Sequence, residues 1–144
     1  MSPVIAEPIS RSHLMLSTRL VYELGDPHST LRATTDRFGA AVLINAGGEI
    51  DACTEPTWRH LVCAAASLVT PPGPLVVDIT GLDFMGGCAF AVLAEEAQRC
   101  QIRGIELRLV SRQRVVARIV DACGLSGMLP IYPTADSALA IAAC

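Results

Sequence analysis

The sequence predicts an α/β domain built on a mainly parallel sheet. Short apolar runs alternate along the chain with segments in which apolar residues recur at helical spacing. When a helix joins two strands in this way, the crossover places the strands parallel in one sheet. Of the 144 residues, 51% are hydrophobic and 17% are charged, a composition that suits one buried core. We expect one domain over residues 30–144, preceded by an extension over residues 1–29 that contains prolines and has no clean period.

The first half of the domain predicts two strands, a helix and a third strand. Phe38 and Gly39 form a turn between the first strand and an apolar second strand, and Pro56 lies near the start of the helix, where a proline is tolerated. The helix ends at the sequence Pro-Pro-Gly-Pro at residues 71–74. An apolar run follows that suits a strand covered on both faces. The predicted bounds are 31–37 and 40–46 for the strands, 53–69 for the helix and 75–79 for the third strand.

The second half predicts three helices and two strands in alternation. Gly124 ends the second of these helices, and Pro133 ends the last strand. Thr134 is a residue type that caps helix starts, so we expect it to begin the final helix. The predicted bounds are 87–103, 112–123 and 134–143 for the helices and 106–110 and 129–132 for the strands.

Charge and hydropathy exclude two classes of partner. The net charge is −3 and the pI is about 5.5, and the arginines are scattered singly, so we predict no nucleic-acid surface. No apolar run approaches the ~20 residues of a membrane helix. Residues 1–15 lack the basic-then-apolar pattern of a secretory signal. We therefore expect a cytoplasmic protein that does not contact a membrane.

Residues that would carry catalysis or bind metal do not assemble. The six cysteines contain no Cys-x-x-Cys pair, so zinc and iron–sulfur sites lack their ligands. His13, His28 and His60 are scattered, and none is paired with a nucleophile. The chain contains no lysine, which excludes a phosphorylated receiver domain. We predict no catalytic residues, no metal and no cofactor.

The most specific motif is the stretch LVVDITGLDFMGGCAF, residues 75–90. It resembles the signature of STAS-domain anti-sigma factor antagonists: an apolar strand, Asp-Leu-Ser-Gly-Val, a variable residue, then Phe-Met/Ile-Asp-Ser-Ser-Gly-Leu. The sequence Gly-Glu-Ile-Asp at residues 48–51 is similar to the family's Gly-Glu-Leu/Ile-Asp motif, and residues 124–139 resemble its C-terminal signature. The resemblance implies the STAS fold, a small mixed sheet of four to five strands with helices packed mainly on one side.

The resemblance also implies a docking site and the loss of its switch. Gly86 stands where the family has Asp, Gly87 where it has its phosphorylated Ser, and Cys88 at the second Ser. In the family a kinase phosphorylates that Ser, and the added charge blocks docking on the anti-sigma factor. We therefore expect a regulator of transcription that docks through Met85, Gly86, Gly87, Cys88 and Asp51 on an anti-sigma factor with an ATPase/serine-kinase fold. This docking would not be controlled by phosphorylation.

Several alternatives remain open at this stage. The two glycines also suit a loose turn that no longer binds a partner, and Asp51 also suits a helix cap. Backbone amides at the start of a helix attract anions, so a module that senses nucleotides or small anions is the second hypothesis. A thiol at a helix start is readily oxidised, so redox control through Cys88, with Cys53 nearby, is another. The extension over residues 1–29 is also a candidate homodimer contact.

Overall fold

The structure, a computed structural model, describes residues 11–13, residue 24 and residues 29–140. Within that part of the chain, six strands form one sheet in sequence order. The first two pairs of strands are antiparallel and the other three pairs are parallel, so the sheet is mixed. The strands are β1 (Arg11–His13), β2 (Leu31–Phe38), β3 (Ala41–Ile50), β4 (Leu75–Met85), β5 (Leu107–Val110) and β6 (Ile131–Tyr132).

Helices cover both faces of this sheet unequally. The first three pack on one face, where the larger core contains Trp58, Leu93 and Val116. The fourth packs on the other face, where Ala138 meets Leu43 of β3 and neighbouring apolar residues of β4 and β5. None of the helices in the described part of the chain is long and apolar enough to cross a membrane. The helices are α1 (Glu55–Ser67), α2 (Gly87–Ile102), α3 (Arg114–Ala122) and α4 (Ala135–Ala140).

The STAS-type mixed sheet with helices mainly on one side is therefore confirmed, with one strand more than the four to five expected. The additional strand is β1, which lies inside the segment predicted as an extension and pairs with the end of β2, Arg11 opposite Phe38. By pairing there, β1 covers an edge that β2 would otherwise expose. The remainder of residues 1–29, the candidate homodimer contact, lies almost entirely outside the described residues.

Strands β3 and β4 both run further than predicted, because they stay paired through two bulges. Pairing passes from Asn45–Asp78 to Gly47–Gly81 and from Gly48–Leu82 to Glu49–Phe84, so each bulge adds one residue to β4. The motif at residues 48–51 was predicted to follow the second strand. Its first three residues instead form the end of β3, which ends at Ile50. Gly48 has φ +89°, and a Cβ there would lie 1.8 Å from the carbonyl oxygen of Thr30. Only glycine suits that position.

In the second half, the elements lie where they were predicted, with ends that differ by one or two residues. Helix α3 begins at Arg114 rather than at residue 112, because Ser111 Oγ accepts a hydrogen bond from the Gln113 amide in the turn before it. Thr134 caps α4, since its Oγ1 accepts a hydrogen bond from the Ser137 amide at 3.0 Å. The predicted end of that helix, beyond Ala140, lies outside the described residues.

Candidate functional site

The predicted docking residues form a tip, residues 85–88, at the carboxyl end of the parallel strands. β4 ends at Met85, Gly86 is the N-cap of α2, and Gly87 is its first residue. The Gly86 amide donates to the carbonyl oxygen of Ile50 at 2.9 Å, and Ile50 is paired with Met85. The tip is therefore fixed to the end of β3, and its backbone geometry does not depend on a side-chain cap.

The tip is accessible at its centre. Gly87 is exposed, while Met85, Gly86 and Cys88 are half-buried. A Cβ built on Gly87 would have no neighbour within 4 Å, and one on Gly86 would lie 3.4 Å from its nearest neighbour, the Ile50 oxygen. Gly86 has φ −75° and ψ 167°, an extended conformation that any residue adopts. Crowding and strain therefore do not require glycine at either position.

Asp51 lies beside the tip and holds the turn before α1. It is not the helix cap that was one of its two predicted alternatives, because the N-cap is Thr54 and no side chain makes a capping bond there. It follows Ile50 directly, as Gly86 follows Met85 on the neighbouring strand. Its Oδ1 accepts hydrogen bonds from the amides of Cys53 at 2.9 Å and Thr54 at 3.1 Å. These bonds shape the turn before α1, so the helix begins at Glu55 rather than at residue 53. A contact with a partner through Asp51 remains a prediction.

The cysteines near the tip differ in exposure from the cysteine at the far end of α2. Cys53 is exposed in the turn before α1, and Cys88 is half-buried in the first turn of α2. The Cys88 Sγ lies 3.8 Å from the position of a Cβ on Gly86, so it faces the tip. Cys100 is buried, and burial raises the pKa of its thiol to about 11. Redox control through Cys88 or Cys53 stays a prediction.

Asp78 and Thr80 have a structural role at the strand exit. Asp78 Oδ1 accepts hydrogen bonds from the Thr80 amide at 2.9 Å and from its hydroxyl at 2.7 Å. These two bonds hold β4 through its first bulge, where the extra residue would otherwise disrupt pairing. The Thr80 hydroxyl is thus engaged within the strand exit and does not replace the missing hydroxyl at the tip.

Phe84 is a surface residue that sequence reasoning did not identify. Its side chain is 53% exposed, although strict alternation from buried Leu82 would place it inside. The second bulge, at Asp83, shifts the phase, so that Phe84 pairs with exposed Glu49 and Met85 with buried Ile50. The Gly residues opposite, at 47 and 48, are the sequence signal that could have indicated a bulge.

Acid–base and metal chemistry have little support in this part of the molecule. Among residues 29–140, no group of three or more His, Cys, Asp and Glu side chains could hold a metal ion. A cavity of about 450 Å³ is open and lies at the ends of β4, β5 and β6, between Asp78, Ser111 and Thr134. Its polar side chains are engaged in local turns. The geometry suits a contact surface better than a reaction centre.

Comparisons with known proteins agree with this geometry. A family model described as the STAS domain matches residues 32–138. The chain is 68% identical over 139 residues to the Mycobacterium tuberculosis protein named "Putative anti-anti-sigma factor Rv2638", which covers 96% of this chain and 93% of that protein. It is 57% identical over 111 residues to "Anti-sigma-F factor antagonist RsfA" of the same species, which covers 77% of this chain and 87% of that protein.

Solved structures give the same fold. The crystal structure of an anti-sigma factor antagonist from Mycobacterium paratuberculosis is similar with a TM-score of 0.64 and 26% identity, covering 81% of this chain and 96% of that one. The anti-sigma factor antagonist SpoIIAA in its unphosphorylated form has a TM-score of 0.55 and 18% identity, covering 68% and 84%, a likeness that concerns the fold alone. The relatives' names support an anti-sigma factor antagonist function and do not favour the anion-sensor or redox alternatives.

Proposed function

Because the chain belongs to the STAS domain family, we propose that it is an anti-sigma factor antagonist whose docking is not controlled by phosphorylation at the tip. The partner is an anti-sigma factor with an ATPase/serine-kinase fold. One relative is named a putative anti-anti-sigma factor, and another is named an anti-sigma-F factor antagonist. The protein acts by binding rather than by catalysis: it occupies its partner and thereby releases a sigma factor in the cytoplasm.

The observation that carries this proposal is an exposed glycine where the family signature has its phosphorylated serine. Gly87 has space for a larger side chain, so its lack of a hydroxyl is a property of the sequence and not a packing requirement. A phosphate would add nearly two negative charges to the contact surface. Since Gly87 can accept no phosphate and carries no charge, the tip remains in its docking-competent state.

The residues that support docking are already held together. Met85, Gly86, Gly87 and Cys88 follow one another along the tip, and Asp51 stands at the end of the adjacent strand. Backbone hydrogen bonds fix the tip to Ile50, so little ordering entropy is lost when a partner binds. This preorganisation favours affinity, because fewer groups must be immobilised at the interface.

The proposal is tested by measuring binding to purified anti-sigma factors, including the M. tuberculosis anti-sigma-F factor, by isothermal titration calorimetry. Wild type should bind, and G87E should weaken binding at least tenfold because it adds a fixed charge and bulk at the tip. G127E is the matched control: Gly127 is also exposed with an unobstructed Cβ position, and it lies near the opposite end of α2, beside Gln101. Absence of binding by wild type, or equal loss in both variants, would contradict the proposal.

A further inference from the structure

Beside the tip lies an exposed apolar pair that the tip itself does not explain. Phe84 is 53% exposed and Val115, in the first turn of α3, is 51% exposed. Phe84 and Met85 line one small cavity together with Gln113 and Val116 of that turn. The end of β4 and the start of α3 therefore form one continuous surface, with Phe84 and Val115 on its solvent side.

Three arginines lie in or directly before the first two turns of α3, the helix that carries Val115. Arg112, Arg114 and Arg118 are all exposed, and Arg114 and Arg118 lie one helical turn apart on the same side of α3. Within residues 29–140, none of the three is in an ion pair, whereas Arg59, Arg99 and Arg108 each contact a carboxylate. In a chain of net charge −3, these three positive charges lie close together. Arg112 Nε also donates to the Pro133 carbonyl oxygen, and Asp83 is the acidic residue that lines the same cavity as Phe84.

The position of the arginines is also unfavourable for the helix that carries them. The start of a helix has a partial positive charge, which favours acidic residues and disfavours basic ones. The first turn of α3 has no acidic residue, and its N-cap, Gln113, makes no side-chain capping bond. Arg112 and Arg114 are thus placed against the helix dipole. Residues that lower the stability of a helix in this way are expected where a surface is retained for binding.

We propose that Phe84, Val115, Arg112, Arg114 and Arg118, here called the arginine ridge, form a second half of the docking surface beside the tip. The ridge fits a protein surface on which acidic side chains surround an apolar contact. This inference rests on the proposed function and specifies the chemistry of the anti-sigma factor that the tip meets. A protein occupant is favoured over nucleic acid because the ridge is centred on apolar side chains, and the chain as a whole is acidic.

The test compares three variants in binding to the M. tuberculosis anti-sigma-F factor at low and at high salt. R114E should lower affinity at least tenfold, or about 1.4 kcal/mol, and should reduce the salt dependence of binding. Its melting temperature should equal or exceed that of wild type, because an acidic residue at the helix start is favourable. F84A should lower affinity as much but leave the salt dependence unchanged.

R32E is the matched control. Arg32 is exposed on β2, where it lines a shallow groove with Thr34 and Asn45 that contains no residue of the ridge, and its replacement changes the charge by the same amount. If R32E weakens binding as much as R114E, the effect is one of net charge and the ridge is not a docking surface. If wild type binds and neither R114E nor F84A changes the affinity, the ridge is not a docking surface, and the proposed function stands. If wild type does not bind the anti-sigma factor, both proposals fail. If a DNA duplex binds to wild type but not to R114E, the ridge binds a different occupant.

Discussion

Replacing both glycines of the tip, G86D with G87S, should stabilise the fold and create the phosphorylation site that this chain lacks. The structure permits both side chains, since Gly87 has an unobstructed Cβ position and Gly86 has only ordinary contacts. An aspartate at the N-cap accepts hydrogen bonds from the free amides of the first helical turn and places a negative charge at the positive end of α2.

The size of the stabilisation follows from three small contributions. Replacing a glycine at a position that other residues tolerate stabilises the fold by about 0.4–1 kcal/mol, because it lowers the conformational entropy of the unfolded chain. An aspartate cap gains a few tenths of a kcal/mol over glycine, and its charge at the helix start gains about 0.3–1 kcal/mol. A net gain of about 1–2 kcal/mol corresponds to a rise in melting temperature of roughly 3–6 °C for a chain of this size.

The assay has two parts. Thermal unfolding followed by the fluorescence of Trp58, the single tryptophan, measures stability. Incubation with ATP and the partner that binds wild type, followed by intact-protein mass spectrometry, measures phosphate transfer. G48S is the matched control for stability, because its Cβ would collide with the Thr30 oxygen at a φ of +89°. It should destabilise by more than about 2 kcal/mol.

Two outcomes would refute this reasoning. A lower melting temperature for the double variant than for wild type would mean that the tip does not have the open, extended N-cap described above. Binding of the same partner by both forms, without any phosphate transfer to the double variant, would mean that the missing hydroxyl is not what separates this tip from a phosphorylated one. In that case constitutive docking would need a different cause.

Three further predictions concern the core and the thiols. Burial raises the pKa of Cys100 to about 11, above the ~8.5 of an unfolded thiol. Its contribution to the free energy of unfolding, on the order of 3 kcal/mol, is therefore complete below pH ~8.5 and is lost as the pH rises towards 11. Urea unfolding between pH 8 and 10.5 should show a fall in the free energy of unfolding, and C100A should reduce that fall. W58F should cost about 1–3 kcal/mol, because the indole N–H donates to the Ala89 oxygen at 3.2 Å in a fully buried site, as circular dichroism during urea unfolding would measure. Mild peroxide should modify Cys88 if its thiol controls docking, and peptide mass spectrometry that finds Cys88 unmodified would end the redox hypothesis.

Much of the fold could be predicted because its elements follow clear periodic patterns. The apolar positions of α1 and α2 recur at helical spacing, and Thr134 begins α4 as its residue type suggested. Residues 75–79 form the fully or largely buried part of β4, as an apolar run predicts. Short connections that contain Gly or Pro marked most boundaries, so the errors at element ends were one or two residues except at the ends of β3 and β4.

The course of β4 beyond residue 79 could not be predicted, because it depends on pairing with β3. The first bulge of β4 lies where Gly81 approaches β3 closely, since a Cβ on Gly81 would lie 2.9 Å from the Ala46 oxygen, and no periodic pattern records a change of phase. The second bulge explains why the exposure of Phe84 was missed. The arginines of α3 were interpreted as scattered. Only the fold brings the start of α3 beside Phe84, and only the structure reveals that, within residues 29–140, these arginines form no ion pair.

The second bulge links the fold to the proposed function. By inserting Asp83, it places Phe84 on the surface and Met85 towards the core, just before the chain turns into Gly86. The end of β4 thus contributes residues to both the tip and the arginine ridge. In the proposed function, a partner that contacts the tip contacts Phe84 as well. If the tip carries no covalent switch, occupancy of the partner depends on the concentration of this protein relative to the dissociation constant. The affinity set by the ridge then becomes the quantity through which docking is controlled.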